Sequence, residues 1–148
     1  MISVEEAEKI AREKHQSQKD KNGEPYILHP MRVAASLHTL EEKVVALLHE
    51  VLEDTDTTAE ELLACGVTQE QIRALSLLSH AKEEPYLTYL ARVKDDPLAL
   101  AVKLADLADN SDPDRLAKLP EQMAERLRLK YETAYSFLRN SGCSVENP

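Results

Sequence analysis

The run Val44-Val45-Ala46-Leu47-Leu48-His49-Glu50-Val51-Leu52-Glu53-Asp54 constrains this chain more than any other stretch. Val44, Leu47, Leu48, Val51 and Leu52 recur at helical spacing, and Val45 and Ala46 widen the stripe until the helix is buried almost all round. Set into it are His49, Glu50, Glu53 and Asp54. Residues four apart on a helix are neighbours, so His49 stands over Glu53 and Glu50 over Asp54. Three carboxylates and an imidazole resist burial unless a cation or a water-filled cavity receives them. The bland alternative is a solvated rim at the end of an amphipathic helix.

The flanking sequence reads as further helices. Ser3 and Glu6 predict a capping box for a first helix reaching about Gln18, with Val4, Ala7, Ile10 and Ala11 inward. His15 continues that face, either as a core histidine with a backbone partner or as a pocket-lining residue. Lys19 to Gly23 is a turn by composition. Pro25 and Pro30 rule out one continuous helix. Pro30 suits the first turn of a helix to about Leu40, which leaves His29 at a corner just before it. Arg32, one turn in, could serve a phosphate or a surface ion pair. Thr57 with Glu60 predicts a capping box for a short helix ended by Gly66, and Thr68 with Gln71 predicts another through Ile72, Leu75 and Leu78. Tyr86, Tyr89 and Leu90 follow at helical spacing, the tyrosines in packing roles.

Pro97 to Asn110 is again apolar nearly all round, yet Lys103, Asp106 and Asn110 recur at three and four as one polar line. An internal Lys103–Asp106 ion pair would leave Asn110 unexplained. A site wall shared with the central helix explains all three. A last long segment from about Pro113 to Asn140, broken near Pro120, carries Met123, Leu127, Tyr131, Ala134 and Leu138 at bundle-forming spacing. With 3 Gly, 1 Phe and no Trp in 148 residues, packed helices are favoured over hairpins. The expected fold is an all-α compact helical bundle, one domain over 1–148 with its core at about 3–140 and a frayed tail at 141–148.

A formal charge of −9 argues against nucleic acid or an anionic membrane as partner. Cys65 and Cys143 form neither a disulfide framework nor a metal-type pair. The acidic N-terminus lacks a secretory apolar segment, and no apolar run reaches membrane-spanning length. A cytoplasmic, reduced protein is therefore expected.

Two imidazoles and two carboxylates on buried or cornered positions, His29, His49, Glu50 and Asp106, make a mixed-ligand set suited to Mn²⁺, with Fe, Zn or Mg²⁺ as substitutes. Such an ion activates its water and neutralises phosphoryl oxygens, and Glu53 and Asp54 stand one turn on to orient or deprotonate that water. With no Gly-rich phosphate loop and no paired Ser or Cys nucleophile, metal-assisted hydrolysis is the reaction class that fits.

The order His15-Gln16, Gly23-Glu24-Pro25-Tyr26-Ile27-Leu28-His29-Pro30, His49-Glu50-Val51-Leu52-Glu53-Asp54-Thr55 and Lys103-Leu104-Ala105-Asp106 with Asn110 resembles the HD-domain hydrolases of the RelA/SpoT family from about residue 3 to 140. The closer likeness is to its small stand-alone members, since 148 residues leave no room for a synthetase or regulatory region. The resemblance implies a helical HD fold and a Mn²⁺-dependent pyrophosphohydrolase that removes the 3′-diphosphate from ppGpp and pppGpp. It implies His29, His49 and Asp106 as metal ligands, Glu53 and Asp54 as the acidic pair acting on water, and Asn110 near the nucleotide. Lys103, on the same line, is expected to meet phosphate, and Arg32 is a further candidate for the substrate. The chain departs from the family at Glu50 (usually Asp), at Asp20 (an arginine in long members), and at Asp112 and Pro113 (usually basic and Thr). The alternatives are the same site acting on another nucleotide, such as the 2′-phosphate of NADPH, and a non-catalytic nucleotide-sensing module.

Overall fold

The computed structural model describes the backbone over residues 1–146 and side chains over 1–139. The tail expected to fray over 141–148 lies outside the residues whose side chains are described. Among the described residues there is no strand, only an isolated bridge between Lys19 and Pro25. The helices are α1 (Val4–Lys14), α2 (Leu28–Ala35), α3 (Leu40–Asp54), α4 (Ala59–Ala64), α5 (Gln69–Leu78), α6 (Tyr86–Lys94), α7 (Pro97–Asn110), α8 (Pro113–Leu116) and α9 (Glu121–Glu146). None of them is long and apolar enough to cross a membrane.

α3 is the axis of the bundle. Val44 to Leu48 and Val51 are buried, and α1, α2, α5 and α7 pack around them. The sequence starts it with a capping box: Thr39 Oγ1 accepts from Glu42 N–H, and the Glu42 carboxylate accepts from Thr39 N–H. Boxes of the same kind open α1 at Ser3, α4 at Thr58 and α5 at Thr68. Each such cap contributes about 1 kcal/mol by satisfying amide groups that have no helical partner. α7 runs between the expected limits, with Asp96 accepting from the amides of Leu98 and Ala99 and Pro97 in the first turn.

The structure corrects four boundaries. α1 stops at Lys14 rather than near Gln18, because Gln18 leaves the helix to accept from Tyr26 N–H. α2 begins at Leu28 and ends at Ala35. Pro30 is tolerated inside its first turn, where an amide would lack a helical partner in any case. His29 therefore belongs to that turn and is not a corner before it. The carboxyl end comes early because the Ser36 hydroxyl and the Lys43 ammonium donate to the carbonyls of Val33 and Ala34. The box opening α4 is Thr58–Glu61, one residue beyond Thr57–Glu60, because Thr57 is occupied by Thr55.

One glycine carries a strict requirement. Gly66 has φ 104°, and a Cβ there would lie 3.2 Å from the backbone nitrogen of Ile2, which itself donates to Gly66 O at 2.9 Å. That contact seats the N-terminus against the loop after α4.

Candidate metal and active site

α2, α3 and α7 meet where their polar residues interrupt the apolar core. His29, His49 and Asp106 are all buried, and one ligand atom from each lies within 4.8 Å of the others. His29 Nε2 is 2.7 Å from Asp106 Oδ1, and His49 Nε2 is 3.7 Å from the same oxygen. His49 Nδ1–H donates to Ala46 O at 2.7 Å, within its own helix. In that tautomer Nε2 carries a lone pair, and Nε2 is buried with no hydrogen-bond partner. It faces Glu50 Oε1 at 3.0 Å as well as Asp106. Acceptors converging in a buried pocket repel unless a proton or a cation lies among them. The donor set of two imidazoles and a carboxylate fits a divalent transition metal.

The polar line on α7 is built as its spacing implies. Lys103 Nζ donates to Asp106 Oδ2 at 3.1 Å, and Asn110 Nδ2 approaches Asp106 Oδ1 at 3.4 Å. Burial opposes the charge on both members of the ion pair. Lys103 nevertheless holds Asp106 well below the usual carboxylate range, aided by His29 and His49, and Asp106 in turn pushes the Lys103 ammonium up. Burial also opposes protonation of His49 and His29, and the surrounding carboxylates overcome it. Glu50 and Asp106 raise His49 well above its ordinary value, and Asp106 and Asp109 raise His29.

Glu50, Glu53 and Asp54 line the exposed side of this set. Glu50 stands beside His49 Nε2 and outside the three-residue convergence. Burial pushes Glu50 up, but His49 and a hydrogen bond from Asp54 bring it down to about 2. Asp54 moves the other way, to about 7, through burial and the same hydrogen bond to Glu50. Glu53 is raised by burial and by Glu50, and its carboxylate accepts weakly from His80 N–H at 3.4 Å.

Cavities open on both flanks. One, of about 180 Å³, is lined by His49, Glu53, Asp106 and the cations Lys103 and Lys130. The other, of about 250 Å³, is lined by Tyr26, His29, Arg32, Asn110, Arg115 and Tyr131. Asn110 and Tyr131 border both, with His29 on the larger and His49 on the smaller.

Arg32 lines the larger cavity while its Nε donates to Asp109 Oδ1 at 2.9 Å. Asp109 Oδ2 also lies 2.7 Å from His29 Nδ1, and Asp109 is not among the residues the sequence singles out. Its position three residues after Asp106, on the same flank of α7, is the signal that could have found it. Arg115 and Lys130 gave no such signal. His15 is buried as expected, but its Nδ1 meets the Gln18 side chain at 2.7 Å rather than a backbone group. Its ring packs on Tyr26, which in turn packs on His29. The departures at Asp20, Asp112 and Pro113 have local uses. Asp20 accepts from the amides of Asn22 and Glu24 and closes the turn, and Asp112 and Pro113 cap and start α8.

Residues 7–75 match the HD domain family. A guanosine-3′,5′-bis(diphosphate) 3′-pyrophosphohydrolase of Aquifex aeolicus is 40% identical over 121 residues, covering 72% of this chain and 17% of that protein. The protein of the same name from Haemophilus influenzae is 32% identical over 136 residues, covering 78% of this chain and 20% of that protein. A probable GTP pyrophosphokinase of Mycobacterium leprae is 34% identical over 139 residues, covering 84% of this chain and 17% of that protein. The chain thus spans a fifth or less of these curated relatives, at 17 to 20% of their length. A solved structure of a metazoan ortholog of SpoT, which hydrolyzes ppGpp and plays a role in starvation responses, matches with a TM-score of 0.76 at 22% identity, over 92% of this chain and 85% of that one. The all-α arrangement is the same in both.

Proposed function

We propose that the chain, whose residues 7–75 match the HD domain family, is a metal-dependent phosphohydrolase that removes the 3′-diphosphate of ppGpp and pppGpp as pyrophosphate. One observation carries the reading. His49 Nε2, buried and without a hydrogen-bond partner, faces the same space as His29 Nε2 and Asp106 Oδ1. His29, His49 and Asp106 would hold the metal, with Glu50 as a fourth ligand on the side facing Asp54. Mn²⁺ suits this mixture of imidazole and carboxylate. When bound, the ion supplies Lewis-acid activation of water and neutralises charge on a phosphoryl oxygen.

The remaining chemistry falls to side chains. Asp54, whose carboxyl titrates at about 7, accepts a proton from the attacking water, and Glu53 orients that water. The water oxygen bonds to the phosphorus next to the ribose, the bond from that phosphorus to O3′ breaks, and O3′ takes up the proton as pyrophosphate departs. Lys103 and Lys130 face the smaller cavity and balance the diphosphate charge. Arg32 and Asn110 face the larger one, which receives the nucleoside and its 5′-phosphates.

Incubation with Mn²⁺ and a panel of ppGpp, pppGpp and NADPH tests the substrate. Pyrophosphate from the guanosine compounds is the expected product. Orthophosphate from NADPH alone would transfer the site to a 2′-phosphatase, and binding without turnover of any compound would make it a sensing module.

A further inference from the structure

Asp109 of α7 ties together groups from α2 and α8. Its Oδ2 lies 2.7 Å from His29 Nδ1 on α2, its Oδ1 accepts from Arg32 Nε at 2.9 Å, and the same oxygen pairs with the Arg115 guanidinium at 3.0 Å. Arg115 also donates to the Asp109 backbone carbonyl and to Asp112 at 2.9 Å. The His29 ring therefore lies between two carboxylates, Asp109 at Nδ1 and Asp106 at Nε2, each at 2.7 Å.

A neutral imidazole has one proton to place between those carboxylates, and its position decides what the ring can do. With the proton on Nδ1, the Nε2 lone pair is available to a metal. With the proton on Nε2, the ring donates to Asp106 and cannot bind one. We propose that Asp109 is a positioning residue that fixes the metal-competent tautomer of His29. The inference rests on the metal reading above and concerns a residue outside that proposed ligand set. Arg32 and Arg115 serve it by keeping Asp109 ionised and aimed at Nδ1. Without the Asp109 carboxylate, Asp106 is the sole partner of the ring, and the proton settles on the nitrogen that the metal needs. Because Arg32 and Arg115 also line the larger cavity, one carboxylate joins the metal site to the wall that receives substrate anions.

The test compares wild type with Asp109→Ala and Asp109→Asn, using Mn²⁺ alone as probe. Free Mn²⁺ measured by electron paramagnetic resonance gives the affinity, and ¹H–¹⁵N correlation of the histidine rings in metal-free protein at mildly alkaline pH gives the tautomer. The expected result is roughly 10- to 100-fold weaker Mn²⁺ binding and a shift of the His29 proton from Nδ1 to Nε2, with helical circular dichroism retained. Asp109→Asn preserves size and decides the matter if the alanine variant does not fold. Mn²⁺ affinity within twofold of wild type, with the His29 proton still on Nδ1, would overturn the proposal. If the wild type takes up no Mn²⁺, the metal reading fails, and the tautomer measurement still decides the role of Asp109.

Discussion

His29 Nε2 and Asp106 Oδ1 lie 2.7 Å apart although 77 residues separate them in sequence, and the contact pins α2 to α7 beneath α3. Asp106 also neutralises Lys103 at 3.1 Å, so it serves both the proposed metal and the core. Asp106→Asn keeps the shape of the side chain and removes its charge. It should abolish Mn²⁺ uptake and, by leaving a buried ammonium without its partner, destabilise the fold by about 3 kcal/mol. Isothermal titration with Mn²⁺ and chemical denaturation check the two effects separately.

The metal-free protein should show a stability maximum in mildly acidic solution. His29 and His49 have raised pKa values in the folded state, so their contribution is complete below the unfolded value of about 6.5 and is lost as pH climbs through the folded values. Asp109 is depressed to about 2 against an ordinary 3.8, so its contribution is present above the ordinary value and disappears as pH falls toward the lower one. Thermal melts after chelation should therefore peak between those limits and decline on the alkaline side. Added Mn²⁺ should reverse the alkaline decline, because it replaces the protons that the two histidines lose. A melting temperature that rises steadily to pH 9 without metal would contradict this.

Burial and the neighbouring Glu50 carboxylate push Asp54 up to about 7. Replacing Glu50 by Gln removes a neighbouring negative charge, so the Asp54 midpoint should drop toward the ordinary carboxylate range. Carboxyl ¹³C titration of metal-free protein reads this directly. The companion change Glu50→Asp shortens the side chain and should alter Mn²⁺ affinity if Glu50 is a ligand, whereas identical titrations would remove it from the ligand set.

Two glycines should respond differently to alanine. At Gly66, φ 104° and the close approach of Ile2 combine, and Gly66→Ala should cost about 2 kcal/mol or more. At Gly23, φ is 81° with nothing within 4 Å, so Gly23→Ala should cost only the backbone term of about 1 kcal/mol. Urea denaturation of both variants makes the comparison.

Much of this architecture was legible because buried helices leave a strong mark. The apolar runs around His49 and around Asp106 announced α3 and α7, and the polar residues interrupting them announced a site. Capping boxes located the starts of α1 and α5 to the residue, since the side chains that form them are local in sequence. The boundaries that moved depend on distant partners. α1 ends early because Gln18 accepts from Tyr26, and α2 ends early because Lys43 reaches back to Ala34. Asp109 was missed for the same reason. Its spacing from Asp106 puts it on the same flank of α7, but its partners His29 and Arg32 lie 80 and 77 residues away, so that spacing alone does not single it out. Lys130 and Arg115 belong to this class too, charged residues on amphipathic surfaces that become site walls only when the bundle closes.

Hydrolysis is proposed to depend on a divalent metal held by His29, His49 and Asp106. The most direct measurement is pyrophosphate release from ppGpp by wild type and His49→Ala, each loaded with Mn²⁺ and each then treated with chelator. Mn²⁺-loaded wild type should release pyrophosphate and lose that activity on chelation, and His49→Ala should release none while its circular dichroism remains helical. Pyrophosphate formed by His49→Ala at the wild-type rate, or by wild type after complete removal of metal, would contradict it.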